Sequence, residues 1–394
     1  MSKNDAFVLI NGDAEISAQV KNALDDAMKI VRRNIERYTK DDEYPVRGYA
    51  NGKYRIAKNG DDSCWVHGFW PGELWLAYDM TGDKEYLEAG EKCVESFYKR
   101  VYENYMVDWH HDIGFLYTPA CVAGYRLTGN KTALEAAKMA AYSLSRRFRH
   151  RGEFIQSMGF ELQEENYRFI ADTMLNLPLL FWMTEETGDE MYRDKAKKHL
   201  DTTLRHLVRE DGSSFHHFLM DYKTGEPVKG LTWQGHADTS CWSRGHSWLV
   251  LGFAIAYAYL KEDYILDAFY KVTDYFIEHL PEDYIPYWDF DFTEGDEPRD
   301  SSAAAIAVCG ILEMAKHISP CEGKMKGYVD AAKKMLSNLI KLYGIRFEDG
   351  EEGLLRGVVA ARPQGDGEES CQVYGDYYYM EALVRATKDW KSWW

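Results

Sequence analysis

Two kinds of helical pattern alternate along the chain. Six segments, at 69–80, 114–127, 169–186, 244–260, 302–318 and 376–387, are apolar on nearly every face and carry many small residues. A helix that is apolar all round is buried on all sides. Six others, at about 15–38, 84–102, 131–148, 190–208, 264–280 and 324–342, place apolar residues at helical spacing and charges on the opposite face, the pattern of a surface helix. Repeated punctuation joins them. Thr81-Gly82-Asp83, Thr128-Gly129-Asn130 and Thr187-Gly188-Asp189 each follow an apolar run and precede an amphipathic one. Gly suits the left-handed position that ends a helix, and Asp or Asn suits the cap that starts the next. Lys261-Glu262-Asp263 and Cys321-Glu322-Gly323 fall at equivalent points with weaker turn chemistry. Six buried and six surface helices close most simply as an inner ring inside an outer ring, an all-α (α/α)6 barrel of six helical hairpins. An open solenoid would not bury the inner helices on both sides. No Pro-, Ser- or Gly-rich linker interrupts the pattern, so a single domain over 1–394 is expected. The long loops before inner helices, at 209–242 and 281–301, are rich in Trp, His, Asp and Gly and should gather at one mouth of the barrel, where a site is expected.

Composition narrows the function classes. The formal net charge of −17 over 394 residues repels nucleic acid and anionic membranes. No run of about 18 apolar residues occurs, so no membrane span is expected. The start of the chain, Met1 to Phe7, lacks the basic and apolar regions of a secretory signal. Seven scattered cysteines (Cys64, Cys93, Cys121, Cys241, Cys309, Cys321 and Cys371) contain no C-x-x-C, which argues against structural zinc and a disulfide framework. A reduced, cytoplasmic setting fits. Twelve Trp and 28 Tyr would suit a sugar cleft, although many such rings simply fill cores.

The polar residues inside the apolar segments carry the candidate chemistry. In "NYRFIADTMLNLPLLFW", Arg168, Asp172 and Asn176 stand at i, i+4 and i+8, one stripe of a helix. The plain alternative is an Arg168–Asp172 ion pair with a satisfied Asn. On a buried inner helix the stripe would face the lumen, where desolvation and any nearby carboxylate raise the pKa of Asp172; such an acid in a cleft is a functional candidate. In "WHHDIGFLY", Asp112 stands just before the second inner helix, as an N-cap or as a second acid. A metal is not expected there, because adjacent side chains point in different directions. The fourth unit adds "GSSFHHFLMD" and "WQGHADTSCWSRGHSW", with His216, Gln234, His236, Trp242, Arg244 and Trp248. Arg244 and Trp248 share one helix face; Arg suits a substrate carboxylate and Trp a sugar ring, although His236 could be a loop hydrogen-bonder and either Trp core. No G-x-S-x-G, H-E-x-x-H or Walker loop occurs, and the Gly-rich "GDGEES" is too acidic for phosphate.

Together "GFWPGELWLAYDMTGD", "HHDIGFLY", "ADTMLNLPLLFW", "DGSSFHHF", "CWSRGHSW" and "YGDYYYMEAL" make the chain resemble, over nearly its whole length, the unsaturated glucuronyl hydrolases of glycoside hydrolase family 88. The resemblance implies the same (α/α)6 barrel and no cofactor or metal. It implies action on lyase-generated oligosaccharides whose nonreducing end is a 4,5-unsaturated uronic acid. The C4=C5 vinyl ether is hydrated, and the hemiketal opens and expels the remaining sugar. It assigns the acid/base to Asp172. Asp112 would bind ring hydroxyls and, as a like charge, keep Asp172 protonated. His216 and Gln234 would contact substrate, Trp242, Arg244 and Trp248 would line the uronate pocket, and Trp70 would form the opposite wall, with Trp65 as the fallback. The usual reading of carboxylate spacing as retention or inversion does not apply to this reaction.

Two departures stand out. Ser157-Met158 occupy the segment before the acid where an aromatic is expected. Family members that accept sulfated fragments use a Ser- and Lys-containing loop near the carboxyl terminus; here "RPQGDGEESCQVYGDYYY" has no Lys, and Asp366, Glu368 and Glu369 would repel sulfate. An unsulfated glycosaminoglycan-type substrate is therefore expected, acted on by a monomer or homodimer. Three rivals remain: an unsaturated rhamnogalacturonyl hydrolase on pectin fragments, an isomerase of the acylglucosamine epimerase type that would need His216 and His236 as its acid and base, and a noncatalytic sugar-binding scaffold.

Overall fold

A computed structural model of the chain describes residues 12–39, 42–49, 51–60, 64–103, 110–160, 163–321, 323–367 and 369–394. Met1 to Phe7, Trp109, Glu322 and Glu368, named above, lie outside the described residues. Surface helices α1 (Ala14–Thr39), α3 (Lys84–Glu103), α5 (Lys131–Arg146), α7 (Glu190–His206), α9 (Asp263–Glu278) and α11 (Gly323–Asn338) alternate with α2 (Phe69–Thr81), α4, α6 (Pro178–Thr187), α8 (Ser243–Leu260), α10 (Ser301–Met314) and α12 (Val373–Thr387). The second inner element, α4, runs as Ile113–Tyr117, a π turn Thr118–Val122 and Ala123–Thr128. The even-numbered helices pack side by side and close on themselves where α12 meets α2, and α11 returns to α1 outside them. This is the (α/α)6 barrel that the alternating pattern predicts.

The repeated triplets are the turns of the hairpins. Gly82, Gly129 and Gly188 adopt φ of 68°, 72° and 73°, the left-handed region that costs Gly little. Asp83, Asn130 and Asp189 accept N–H groups of the following helix at 3.0, 3.1 and 2.9 Å. Thr is as much part of the device as its neighbours. Thr81, Thr128 and Thr187 each donate to the carbonyl four residues back at 2.7 Å and accept the N–H two residues on. Each thus ties the end of one helix to the start of the next. Lys261 takes the left-handed position at φ 55° without being Gly, so the fourth turn keeps the geometry that its sequence signals only weakly.

The third hairpin departs from the expected pattern. Residues 169–177 are not α-helical. Two short hairpins, β1 (Glu43–Gly48) with β2 (Tyr54–Lys58) and β3 (Phe148–Arg149) with β4 (Phe154–Ile155), come earlier in the chain; Arg168–Ile170 then forms β5, Ala171–Leu175 is a 3-10 turn, and the helix begins at Pro178. Pro has no N–H and its ring would strike the carbonyl of residue 174 inside a helix, whereas at a first helical position it is harmless. The Arg168–Asp172–Asn176 stripe therefore does not exist. β5 pairs antiparallel with β6 (His217–Met220), which pairs with β7 (Pro227–Leu231). Ile170 lies opposite His217, and His217 opposite Leu231. That register brings Asp172, His216 and the 232–234 turn out at one end of the sheet.

The far end is filled by residues that follow α12. Trp390, Trp393 and Trp394 are buried. Trp394 stacks on Tyr378 at 5.8 Å and donates its indole N–H to Glu381 at 2.7 Å. Beside it Arg385, wholly buried, is bonded to both Glu313 and Glu381. Among the described residues no helix is long and apolar enough to cross a membrane. Removing the central cation would leave Glu313 with Lys316 and Glu381 with the Trp394 N–H, so Arg385→Met should cost about 3 kcal/mol, read as a lower urea midpoint with an unchanged denaturant slope.

Candidate active site

All six inner helices begin at the mouth, and the candidate residues stand at or just before those beginnings. Asp112 occupies the N-cap position of α4 but makes no side-chain cap bond. The Phe115 N–H that it would ordinarily satisfy is taken by Asn176 Oδ1 at 2.8 Å. Asp112 is left to two imidazoles: Oδ2 is 3.2 Å from His110 Nδ1 and Oδ1 is 3.4 Å from His111 Nε2. The Thr173 hydroxyl lies 2.8 Å from His111 Nδ1; with that hydroxyl donating, the His111 proton is assigned to Nε2, toward Asp112. Burial lowers His111 to about 4, so at neutral pH it holds Asp112 as a neutral donor. Burial pulls Asp112 upward, but His111, His110 and Arg147 together outweigh it and keep its carboxyl below the usual value. Asp112 is ionised.

Asp172 lies in the 3-10 turn after β5. Its Oδ2 is buried with no hydrogen-bond partner among the described residues, and His216 Nε2 is 3.9 Å away. His216 Nδ1 receives the N–H groups of Trp233 and Gln234 at 3.2 and 3.4 Å, and the Thr232 hydroxyl is 3.4 Å away. Those donors assign the His216 proton to Nε2, on the Asp172 side. Burial, followed by the charges of His217, Arg244, Arg168 and His111, pushes His216 well below its ordinary value, so it is neutral. Burial and then the charge of Asp112 raise Asp172 to about 7, against a smaller opposing pull from Arg244. One carboxyl is thus ionised and its neighbour is half-protonated near neutrality, the split an acid/base pair requires.

The walls are partly as the sequence predicts. Trp242 is buried with its ring 4.4 Å from that of His216. Arg244 is sandwiched between Trp242 and Tyr374 at 4.6 and 4.9 Å. It is not a bare cation awaiting an anion: it bonds Asp300 at 2.7 Å and the carbonyls of Val359 and Ala360. These three bonds use three of the five N–H groups of a guanidinium. Trp248 packs on Phe115 and Tyr378. Gln234 donates to Ala360 O at 2.8 Å, tying the 232–235 turn to the loop that also receives Arg244.

Other expectations are corrected. The Trp70 ring meets Tyr38 on outer helix α1 edge-on at 4.9 Å, and it is the preceding Phe69 whose ring faces Phe115, Tyr377 and Tyr378. Trp65 instead stacks on Tyr374 at 5.1 Å and meets Phe115 at 5.3 Å, so the fallback residue is the one brought to the site. Arg168 makes no ion pair with Asp172; being on β5, it reaches Met158 Sδ at 3.5 Å. Met158, in the place where an aromatic is expected, bridges to His110 and is exposed. His236 is exposed and its ring contacts Trp288 and Phe292. Asp366 is paired with Arg47 at 2.7 Å, which offsets its charge. His111, Thr173, Tyr374 and Asp300 are parts of the arrangement that sequence reading did not name. His111, Thr173 and Tyr374 lie inside motifs quoted above but were given no role there, and only Asp300 carried no signal. Among the described residues no cluster of three or more His, Cys, Asp or Glu is placed to hold a metal ion.

Comparison with known proteins gives a consistent result. The sequence profile of Glycosyl Hydrolase Family 88 matches residues 29–391. An unsaturated chondroitin disaccharide hydrolase of Streptococcus pneumoniae is 42% identical over 378 residues, 95% of this chain and 94% of that protein. The crystal structure of an unsaturated glucuronyl hydrolase from Streptococcus agalactiae superposes with a TM-score of 0.91 at 41% identity, covering 96% of this chain and 94% of that one. A mutant from the same organism, complexed with dGlcA-GalNAc6S, superposes at 0.84 with 38% identity, over 96% and 94% of the two chains.

The raised Asp172 has a measurable consequence for stability. Its folded-state value of about 7 lies above the unfolded value of about 4. Between those limits the unfolded chain gives up a proton that the folded chain keeps, so the folded state loses about 1.4 kcal/mol per pH unit as pH rises. Asp172→Asn abolishes that loss. The stability of the variant relative to the parent should therefore increase from pH 4 to pH 7 and level off above, as measured by denaturant unfolding across pH; a pH-independent difference would contradict the assignment.

Proposed function

The chain belongs to glycoside hydrolase family 88, and on that premise we propose that it is an unsaturated glucuronyl hydrolase. It releases 4,5-unsaturated uronic acid from the nonreducing end of lyase-generated, glycosaminoglycan-type oligosaccharides by hydrating the C4=C5 vinyl ether. The observation that carries this reading is the split pair: a buried Asp172 raised to about 7 beside an ionised Asp112.

Protonating a carbon is slow, so the acid must hold its proton at working pH yet be strong enough to give it up. Asp172 gives its proton to C4. Positive charge grows at C5 and the ring oxygen, where the fixed Asp112 carboxylate stabilises it. Water adds to C5 as the Asp172 carboxylate takes its proton, which restores the acid. The hemiketal so formed opens and expels the remaining sugar. His216, with its Nε2 proton facing Asp172, and Gln234 contact the substrate; Trp242, Arg244 and Trp248 line the uronate end, and Trp65 replaces Trp70 as the opposing wall. The N–H groups that Arg244 does not give to Asp300, Val359 and Ala360 receive the uronate carboxylate. Because the whole chain is acidic, that attraction is local. No cofactor is invoked. Seven free thiols fit a reducing, cytoplasmic setting, and the chain would act as a monomer or homodimer.

Among the alternatives, the epimerase-type reaction needs two histidines facing one substrate carbon. His216 is buried and neutral while the His236 ring lies against Trp288 and Phe292, which disfavours it. The preference for unsulfated substrates now rests on the absence of Lys from 362–379 and on Glu369, since Asp366 is neutralised by Arg47.

Three measurements test these proposals. Loss of the ultraviolet absorbance of the conjugated C=C–carboxylate of an unsulfated unsaturated chondroitin or hyaluronan disaccharide should be seen with the parent. It should fall about a thousand-fold or more in Asp172→Asn; no loss with the parent would shift the reading to the pectin-derived substrate. The parent kcat/KM should hold on the acid side and fall about tenfold per pH unit above about 7, as Asp172 loses its proton. On matched disaccharides the unsulfated one should turn over faster, and a clear preference for the sulfated one would refute that part.

A further inference from the structure

An aspartate at the start of a helix is drawn to the N–H groups of that helix's first turn. Asp112 is in that position and does not cap, which raises the question of what prevents it. Asn176 answers it. Wholly buried, it accepts the Phe115 N–H at 2.8 Å through Oδ1 and donates to the Asp172 carbonyl at 3.1 Å through Nδ2. The two backbones are in close approach there: a Cβ on Gly114 would lie 2.4 Å from Asn176 Cα. Next to it the Thr173 hydroxyl reaches across to His111 Nδ1, a second tie between the same two segments.

We propose that Asn176 is a positioning residue: by capping α4 in place of Asp112 it leaves the Asp112 carboxylate free to face the site, and it fixes the segment carrying Asp112 against the turn carrying Asp172. The proposal rests on the reading that these two carboxylates are the working pair. Without the Asn176 amide the Phe115 N–H would be buried and unpaired, a costly state. The nearest acceptor in sequence is Asp112 itself, three residues back. Turning to cap would carry its charge away from His110 and His111 and away from Asp172. The charged and titratable groups facing Asp172 are Asp112 on α4, His216 beside β6, Arg244 on α8 and Tyr374 on α12. Those facing Asp112 are His110, His111 and Arg147. The change proposed alters only the Asp112–Asp172 separation among them.

The test is a titration of Asp172 by carbon-13 NMR of aspartate-labelled protein, with its signal identified by its loss in Asp172→Asn. Asn176→Ala should lower the Asp172 midpoint by about one unit as the like charge withdraws, and shift the alkaline limb of kcat/KM by the same amount. Asn176→Asp keeps an acceptor for Phe115 and adds no donor, so the midpoint should stay at or above the parent value. A merely structural role would lower the melting temperature in both variants without moving the midpoint. An unmoved midpoint in Asn176→Ala, or a lowered one in Asn176→Asp, overturns the proposal; if the Ala variant does not fold, Asn176→Ser, whose shorter side chain cannot reach both segments, replaces it with the same expected lowering. The titration needs no turnover, so a parent chain inactive on unsaturated disaccharides would refute the function without touching this test.

Discussion

A carboxyl group keeps its proton at neutral pH only if water is kept from it and another negative charge stays close. At Asp172 both conditions hold, and most of the mouth of the barrel can be understood as the means of meeting them. Asp172 is buried near Trp248, whose ring packs on Phe115 and Tyr378 over the buried Trp394. The persistent charge comes from Asp112, which is itself buried and would drift upward without its imidazole neighbours and Arg147. Arg147 is in turn held by the carbonyls of Gln156 and Gly159 at 2.7 and 3.1 Å. A destabilised acid is thus maintained by a charge that other residues hold in place, the usual way strain is retained where the surroundings over-determine it.

The histidines in this arrangement act as oriented neutral dipoles. His111 and His216 are both pushed below neutrality by burial. For each, one ring nitrogen is engaged by donors from a neighbouring segment, which leaves the other N–H aimed at a carboxylate. This separates them from acid–base histidines, which need a titration near the working pH. It also explains why pairs of His in the sequence are a poor guide here: their chemistry is set by tautomer, and the tautomer is set by backbone N–H groups and a threonine from elsewhere.

The barrel supplies position through repetition. Every Thr-Gly-Asp or Thr-Gly-Asn turn closes a hairpin at the end away from the site, so each inner helix begins at the mouth and the connecting segments are free to vary there. The third hairpin uses that freedom most: a short strand and a 3-10 turn replace the expected helical start, and a three-stranded sheet sets Asp172, His216 and Gln234 side by side. Where the loop wall is built, charges are internally compensated, Arg244 by Asp300 and Asp366 by Arg47. Anions would therefore be recognised by the geometry of N–H groups more than by net charge.

The periodicity of apolar residues and the repeated turn triplets determined the barrel, since a helix with no polar face has nowhere to go but the inside of a ring and a Gly-Asp pair can end and restart a helix by itself. They also singled out Asp112 and Asp172 as polar residues in apolar surroundings. What the sequence could not determine was anything set by partners distant in the chain. The helical stripe through Arg168 failed because Pro178 and the pairing of β5 with β6 override local periodicity. Trp65 and Trp70, five residues apart, differ only in which side of a hairpin start they face. Arg244 is paired because Asp300 arrives from another hairpin. Whether Asp112 caps its helix or serves the site was decided by Asn176, 64 positions away, because a hydrogen-bond donor is satisfied by whichever acceptor the tertiary structure brings nearest, and sequence order does not rank the candidates.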